Sequence, residues 1–259
     1  MILGLLLVAV VLILVFKHFC WKSLPWPEAA LQVPSYQGHR GYWPGGSQEN
    51  TMASFRAAKL RGLEMIEMDV RLSKDEVPVI FHDDNLQRIG GRAEKVEFFT
   101  AVELAELATV CLFEEILTAA DIPQKLNIEL KTPHATNSLL EQKVAALIRK
   151  HKAEGRVLIS SFNPLALQRM GKLLPQVPRA LLATKEDDPG NKFYLKHLLF
   201  APYIQIHALH LDYRYVSIKQ LKAYKKRGIP VAFWTVNEKE KAQELLTAGA
   251  LSVISDQLH

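Results

Sequence analysis

Met65-Ile66-Glu67-Met68-Asp69-Val70-Arg71 sets two carboxylates two residues apart inside an apolar run, with Leu63 before it and Leu72 after it. Residues i and i+2 of a strand point to the same face, so Glu67 and Asp69 project together. Paired anions in a half-buried place repel each other and lose hydration. A hard divalent cation, Mg²⁺ or Ca²⁺, takes oxygen ligands of this kind and relieves both costs. The run equally fits a strand with one face in water, on which Met65 and Met68 fill gaps in the core. Leu126-Asn127-Ile128-Glu129-Leu130-Lys131 repeats the pattern, with Glu129 and Lys131 on one face. A third carboxylate and an ammonium can therefore join the first pair. Only Ser73 to Glu76 separate the first run from Val77-Pro78-Val79-Ile80-Phe81. A parallel crossover needs roughly a dozen residues or more, so these two runs form a hairpin. The strand that carries His82 is then an excursion and not a stave.

Working outward, strand-like runs end near His39, Asp69, Lys131, Phe162, Thr184, Asp212, Val236 and Asp256. Helical stretches lie between them, among them 137–152, 164–174, 217–227 and 238–248. Asn50 or Thr51 can cap a helix that reaches Arg61, and Gly62 stops it. Alternating units of this kind predict an α/β fold, a (β/α)8 TIM barrel with a β-hairpin excursion after strand 2. In such a barrel the active site lies at the strands' C-terminal ends. His39, Glu67, Asp69, Glu129, Lys131 and Trp234 all fall there. With His39-Arg40-Gly41 and His82-Asp83, the ensemble suits phosphate ester chemistry.

The chain has 259 residues, about half of them hydrophobic (49%), enough for one barrel-sized domain. A net charge of +5 without a dense basic tract gives no argument for nucleic acid. Lys222, Lys225, Lys226 and Arg227 read as the wet face of a helix. Cys20 and Cys111 make no disulfide framework. Met1 to Phe16 carry no charged side chain. As a helix that run measures roughly 24 Å, and Phe19, Cys20 and Trp21 can lengthen it. Lys17 and Lys22 follow the run instead of preceding it, which fits an uncleaved anchor better than a signal peptide. The expected organisation is an N-terminal membrane-anchor helix over residues 1–21, a Pro- and Trp-containing spacer over 22–34, and the barrel over 35–259. The positive residues place the catalytic domain on the cytoplasmic side.

His39-Arg40-Gly41, Glu49-Asn50-Thr51, Glu67-Met68-Asp69-Val70, His82-Asp83, Glu129-Leu130-Lys131, Ser161-Phe162 and Trp234-Thr235-Val236-Asn237 stand in one order along the chain. The series resembles the glycerophosphodiester phosphodiesterase family from Tyr36 to Asp256. The chain departs from that family's pattern at Gln48, where Pro is usual, at Ile89-Gly90-Gly91, and at Val110-Cys111-Leu112-Phe113. These departures bear on substrate choice more than on chemistry. The resemblance implies a metal-dependent phosphodiesterase. Glu67, Asp69 and Glu129 would hold one divalent cation, and His39 and His82 would serve as acid and base. Arg40 and Lys131 would neutralise phosphate charge, and Trp234 would contact the substrate.

Three functions are compatible with this sequence: hydrolysis of glycerophosphodiesters to glycerol 3-phosphate and an alcohol, lysophospholipase D-type activity on membrane lysophospholipids, and non-catalytic binding of phosphodiesters at a membrane. The intact histidine and carboxylate set argues against the third. His207 and His210 read as ordinary barrel residues, and His134, His151 and His197 as surface. Ser161 has no base paired to it, so no Ser-His-Asp triad is expected. Asp256 is expected to close the barrel through hydrogen bonds.

Overall fold

The computed structural model describes residues 2–132, 136–187 and 191–257. Nine strands form one sheet: β1 (Tyr36–His39), β2 (Met65–Leu72), β3 (Pro78–Ile80), β4 (Lys125–Leu130), β5 (Val157–Ser161), β6 (Arg179–Ala183), β7 (Ala208–Asp212), β8 (Val231–Trp234) and β9 (Ser252–Ser255). Every strand but β3 runs parallel to its neighbours, and β1 pairs with both β9 and β2, which closes an eight-stranded parallel barrel. β3 pairs antiparallel with β2, Val70 opposite Ile80, so the short link at Ser73–Glu76 does make a hairpin.

Local chemistry sets the helix boundaries. The Thr51 side chain accepts from the Ser54 N–H at the start of Met52–Leu60, and Gly62, at φ +80°, ends that turn. Asn163 caps Pro164–Leu173, and Ser217 with Gln220 forms a capping box for Ile218–Lys226. The inward stripes of these helices, such as Val144, Ala145 and Ile148 or Leu167 and Met170, are fully buried against the strands. Burying one such aliphatic side chain contributes about 1.5–3 kcal/mol. The excursion after β3 has its own small core of Val79, Phe81, Leu86, Val96 and Leu104 before the chain returns to β4.

The two barrel ends are finished differently. At the N-terminal end, Leu31 packs under Met65, Leu158, Ala180 and Ala208, and Trp26 Nε1 donates to Leu31 O at 3.0 Å. The Leu24 N–H donates to Ile206 O at 2.8 Å, so the proline-containing segment runs against the barrel floor. A helix covers Ile2–Cys20. Among the described residues no helix is long and apolar enough to cross a membrane, which overturns the expected N-terminal anchor and the localisation that rested on it. The last turn belongs to the barrel's underside. Lys17 Nζ lies 4.2 Å from the Tyr203 ring centroid, and Arg227 Nη2 donates to Trp21 O at 2.9 Å. What remains, from Ile2 to Phe16, is about 22 Å of helix against a hydrocarbon core of about 30 Å.

Candidate active site

The register of the first strands assembles a carboxylate cluster. His39 on β1 stands beside Glu67 on β2, and Asp69 stands beside Glu129 on β4. One oxygen from each of Glu67, Asp69 and Glu129 lies within 4.8 Å of the others, and all three residues are buried. Lys131 Nζ sits 3.1 Å from Asp69 Oδ1 and 2.7 Å from Glu129 Oε1. Arg40 Nε lies 3.4 Å from Asp69 Oδ2, while Arg40 Nη1 donates to Glu49 Oε1 at 2.8 Å. Asn50 grips Asp69 twice: its Nδ2 donates to Oδ2 at 2.7 Å, and its Oδ1 accepts the Asp69 N–H at 3.3 Å. Arg40 and Asn50 both adopt left-handed backbone, φ 59° and 56°. That fold of the loop also lets the Arg40 N–H donate to Glu67 Oε2 at 3.1 Å.

Electrostatics divide the three acids. Burial opposes charge on each. At Asp69 the neighbouring Lys131, His82 and Arg40 and the Asn50 hydrogen bond outweigh burial, holding its carboxyl far below the usual range. Glu67 is pushed well above it by burial and by the neighbouring Asp69 and Glu129 charges. Burial also raises Glu129, against the pull of Lys131. Two cationic side chains thus face three carboxylates, and one of them, Arg40, is shared with Glu49. A compact set of buried oxygen donors whose mutual repulsion these cationic side chains do not fully offset fits a hard divalent cation.

Two histidine–aspartate pairs accompany this cluster. His39 Nδ1 is hydrogen-bonded to Asp256 Oδ1 at 2.7 Å, and Asn237 donates to Asp256 Oδ2 at 2.9 Å. His82 Nδ1 is hydrogen-bonded to Asp83 Oδ1 at 2.7 Å. Arg88 Nε donates to Asp83 Oδ2 at 2.8 Å, and its Nη2 donates to Glu49 Oε1 at 2.6 Å. Arg71 donates twice to the His82 carbonyl, at 3.0 and 2.8 Å. In each pair Nδ1 is occupied, which leaves Nε2 as the nitrogen free to exchange a proton. Burial, with Lys131 nearby, lowers His82 to about 4.

His39, Arg40, Glu67, His82, Glu129, Lys131 and Trp234 line one cavity of about 610 Å³ at the strands' C-terminal ends. Asp69 joins them through Lys131 and Arg40. All eight residues singled out from the sequence therefore come together. Trp234 stands edge-to-face with Phe162, ring centroids 5.7 Å apart, and its Nε1 donates to His210 O at 3.0 Å.

Asp256, expected to close the barrel through hydrogen bonds, bonds His39 and Asn237. Its support of His39, and that of Asp83, Glu49, Arg71 and Arg88 for the site, is not assigned from the sequence. Asp83 adjoins His82, so that pairing had a local signal. Asp256 had a topological one: closing the barrel brings the end of β9 beside the end of β1. Glu49 stood in the Glu49-Asn50-Thr51 motif without a role assigned to it, and Arg71 and Arg88 gave no signal. Ser161 is structural, its Oγ donating to Leu130 O at 2.9 Å. His207 Nδ1 accepts the Arg179 N–H at 3.1 Å, and burial lowers it to about 4. His151 Nε2 meets Glu114 Oε1 at 2.7 Å, His197 packs on Phe193, and His134 lies outside the described residues. Cys20 is exposed and Cys111 buried, both as free thiols.

Comparison with known proteins adds a second line. Residues 37–259 match the sequence profile of the glycerophosphoryl diester phosphodiesterase family. A glycerophosphodiester phosphodiesterase of Caldanaerobacter subterraneus subsp. tengcongensis is 29% identical over 222 residues, covering 80% of this chain and 88% of that protein. A human protein named lysophospholipase D GDPD1 is 25% identical over 84% of this chain and 82% of its own length. Among solved structures, an Oleispira antarctica phosphodiesterase in complex with the product sn-glycerol-3-phosphate superposes with a TM-score of 0.73 at 26% identity, covering 86% of this chain and 93% of that one.

Proposed function

This chain belongs to the glycerophosphoryl diester phosphodiesterase family, a family of phosphoric diester hydrolases, and from that premise we propose that it hydrolyses glycerophosphodiesters to glycerol 3-phosphate and an alcohol with one bound divalent cation. The observation that carries this reading is the three-carboxylate cluster of Glu67, Asp69 and Glu129 in one cavity with two aspartate-held histidines. Those carboxylates would hold Mg²⁺ or Ca²⁺, which would supply Lewis-acid polarisation of a phosphoryl oxygen. Arg40 and Lys131 offset the charge that grows on the phosphoryl group in the transition state. One of His39 and His82 takes the proton of the attacking hydroxyl, and the other gives one to the departing alcohol oxygen. Asp256 and Asp83 hold each imidazole in the tautomer that presents Nε2 to the cavity. Trp234 offers an apolar face to the substrate.

A second reading, cleavage of lysophospholipids, is favoured by one feature. A neighbouring cavity of about 460 Å³ shares Glu129, Lys131 and Phe162 with the first and is lined by Leu72, Val96, Leu139 and Leu140. It gives an apolar arm a place beside the phosphate. The test is release of choline from glycerophosphocholine and from lysophosphatidylcholine, with and without chelator. Chelation is expected to abolish release, and added Mg²⁺ or Ca²⁺ to restore it. Full turnover in chelator overturns the cation assignment; the preferred choline ester decides between the two readings.

A further inference from the structure

The main cavity and its smaller neighbour meet at three residues. Glu129, Lys131 and Phe162 line both spaces, of about 610 Å³ and about 460 Å³. Two of the three are charged and locked together, Lys131 Nζ lying 2.7 Å from Glu129 Oε1. Phe162 is the apolar member of this boundary, and it is only partly buried, so its ring has surface open to a ligand. The backbone on either side of it is fixed. Ser161 Oγ donates to Leu130 O at 2.9 Å and accepts the Asn163 N–H at 3.1 Å. Asn163 Nδ2 donates to Thr132 O at 3.3 Å, and its Oδ1 accepts the Leu165 N–H at 3.0 Å. The end of β5 is thereby tied to the end of β4, the strand that brings Glu129 and Lys131. The ring itself rests edge-to-face on Trp234, at an interplanar angle of 85°.

A phosphodiester carries two arms on one phosphorus. With the phosphoryl group beside Glu129 and Lys131, an arm that turns from the main cavity toward the smaller one has to pass Phe162. Beyond the ring, Leu72, Val96, Leu139 and Leu140 offer apolar contact among charged and polar neighbours. We propose that Phe162 is the specificity-determining residue that sets the size of the arm the enzyme accepts. Its ring divides the space next to the phosphoryl group, keeping a glycerol-sized arm in the main cavity and restricting the entry of a longer apolar arm into the smaller one. The inference rests on the proposed phosphodiesterase reading and holds whichever of its two substrates is preferred. Side-chain volume at position 162 then governs the choice of substrate, while the carboxylates, the histidines and Lys131 stay as they are.

The test measures choline release from glycerophosphocholine and from hexanoyl lysophosphatidylcholine, whose short chain keeps it monomeric, and reads the ratio of the two kcat/KM values. Phe162→Ala should raise the ratio of lysolipid to glycerophosphocholine about tenfold, the scale on which a change of size in an apolar pocket discriminates between substrates. Phe162→Leu should raise it less, and Phe162→Trp should lower it. The shift is expected mainly in KM for the lysolipid, as for an apolar contact made alike in the ground and transition states. Leu and Trp keep an apolar side chain in place and carry opposite predictions, so the test survives a truncation that fails to fold. A ratio that stays constant across the variants, equal losses on both substrates included, means a structural ring and overturns the proposal. So does glycerophosphocholine hydrolysis in a series where no variant, Phe162→Ala included, cleaves the lysolipid. An unaltered enzyme that cleaves neither substrate would instead defeat the underlying phosphodiesterase reading.

Discussion

The two histidine–aspartate pairs have the same chemistry on different foundations. His39 ends a barrel strand, and its aspartate arrives from the far end of the chain, 217 residues away, held by Asn237. His82 stands on the hairpin excursion beside its own sequence neighbour, and the pair is tied down by Arg88 and by Arg71 on the His82 carbonyl. Barrel closure positions the first pair, whereas a belt of arginines positions the second. The second pair is therefore the one whose support comes from arginine side chains.

The largest expected effect treats the pairs alike. General acid and base groups commonly contribute about 10²–10⁴-fold, so His39→Ala and His82→Ala should each lose turnover on that order while keeping the fold. Near-normal turnover in either variant removes that histidine from the mechanism. The supports should then separate them. Asp256→Asn should cost about 10²-fold, since a misplaced catalytic group loses about that much. Arg88→Met should cost less, about tenfold, because Asp83 stays next to His82 in the chain. Equal losses would erase the distinction between closure and belt.

A separate effect is on stability and concerns a histidine outside the cavity. His207 accepts the Arg179 N–H, which requires a neutral ring, and its value of about 4 in the fold lies below the unfolded value of about 6.5. Between those values the unfolded chain binds the extra proton, so the contribution is present above about pH 6.5 and is lost as pH falls toward 4. Denaturant melts at pH 7 and pH 5 should differ by on the order of 2 kcal/mol more in the unaltered protein than in His207→Asn. Parallel losses in both proteins would assign the pH response elsewhere.

The sequence disclosed the staves, the hairpin and the charges of the carboxylate cluster, because a period of two and a four-residue link are local properties; Glu186 and Asp187, which also line the cavity, gave no such pattern. It could not disclose the pairing of Glu49 with Arg88, which meet across 39 residues only after the excursion folds. The leader misled for a physical reason: hydropathy counts Lys17 to Trp21 as extension of a span, while tertiary contacts with Tyr203 and Arg227 dock them on the barrel.

The central claim is that Glu67, Asp69 and Glu129 bind a cation while Lys131 serves the phosphoryl group. Titrating Mg²⁺ or Ca²⁺ into Glu129→Gln and Lys131→Met while following turnover tests it most directly. Lys131→Met should bind the cation as well as the unaltered enzyme or better, because a positive charge 2.7 Å from Glu129 is gone, yet reach a lower maximal rate. Glu129→Gln should need more cation to reach its plateau. If Lys131→Met weakens cation binding as much as Glu129→Gln does, the division of labour is wrong.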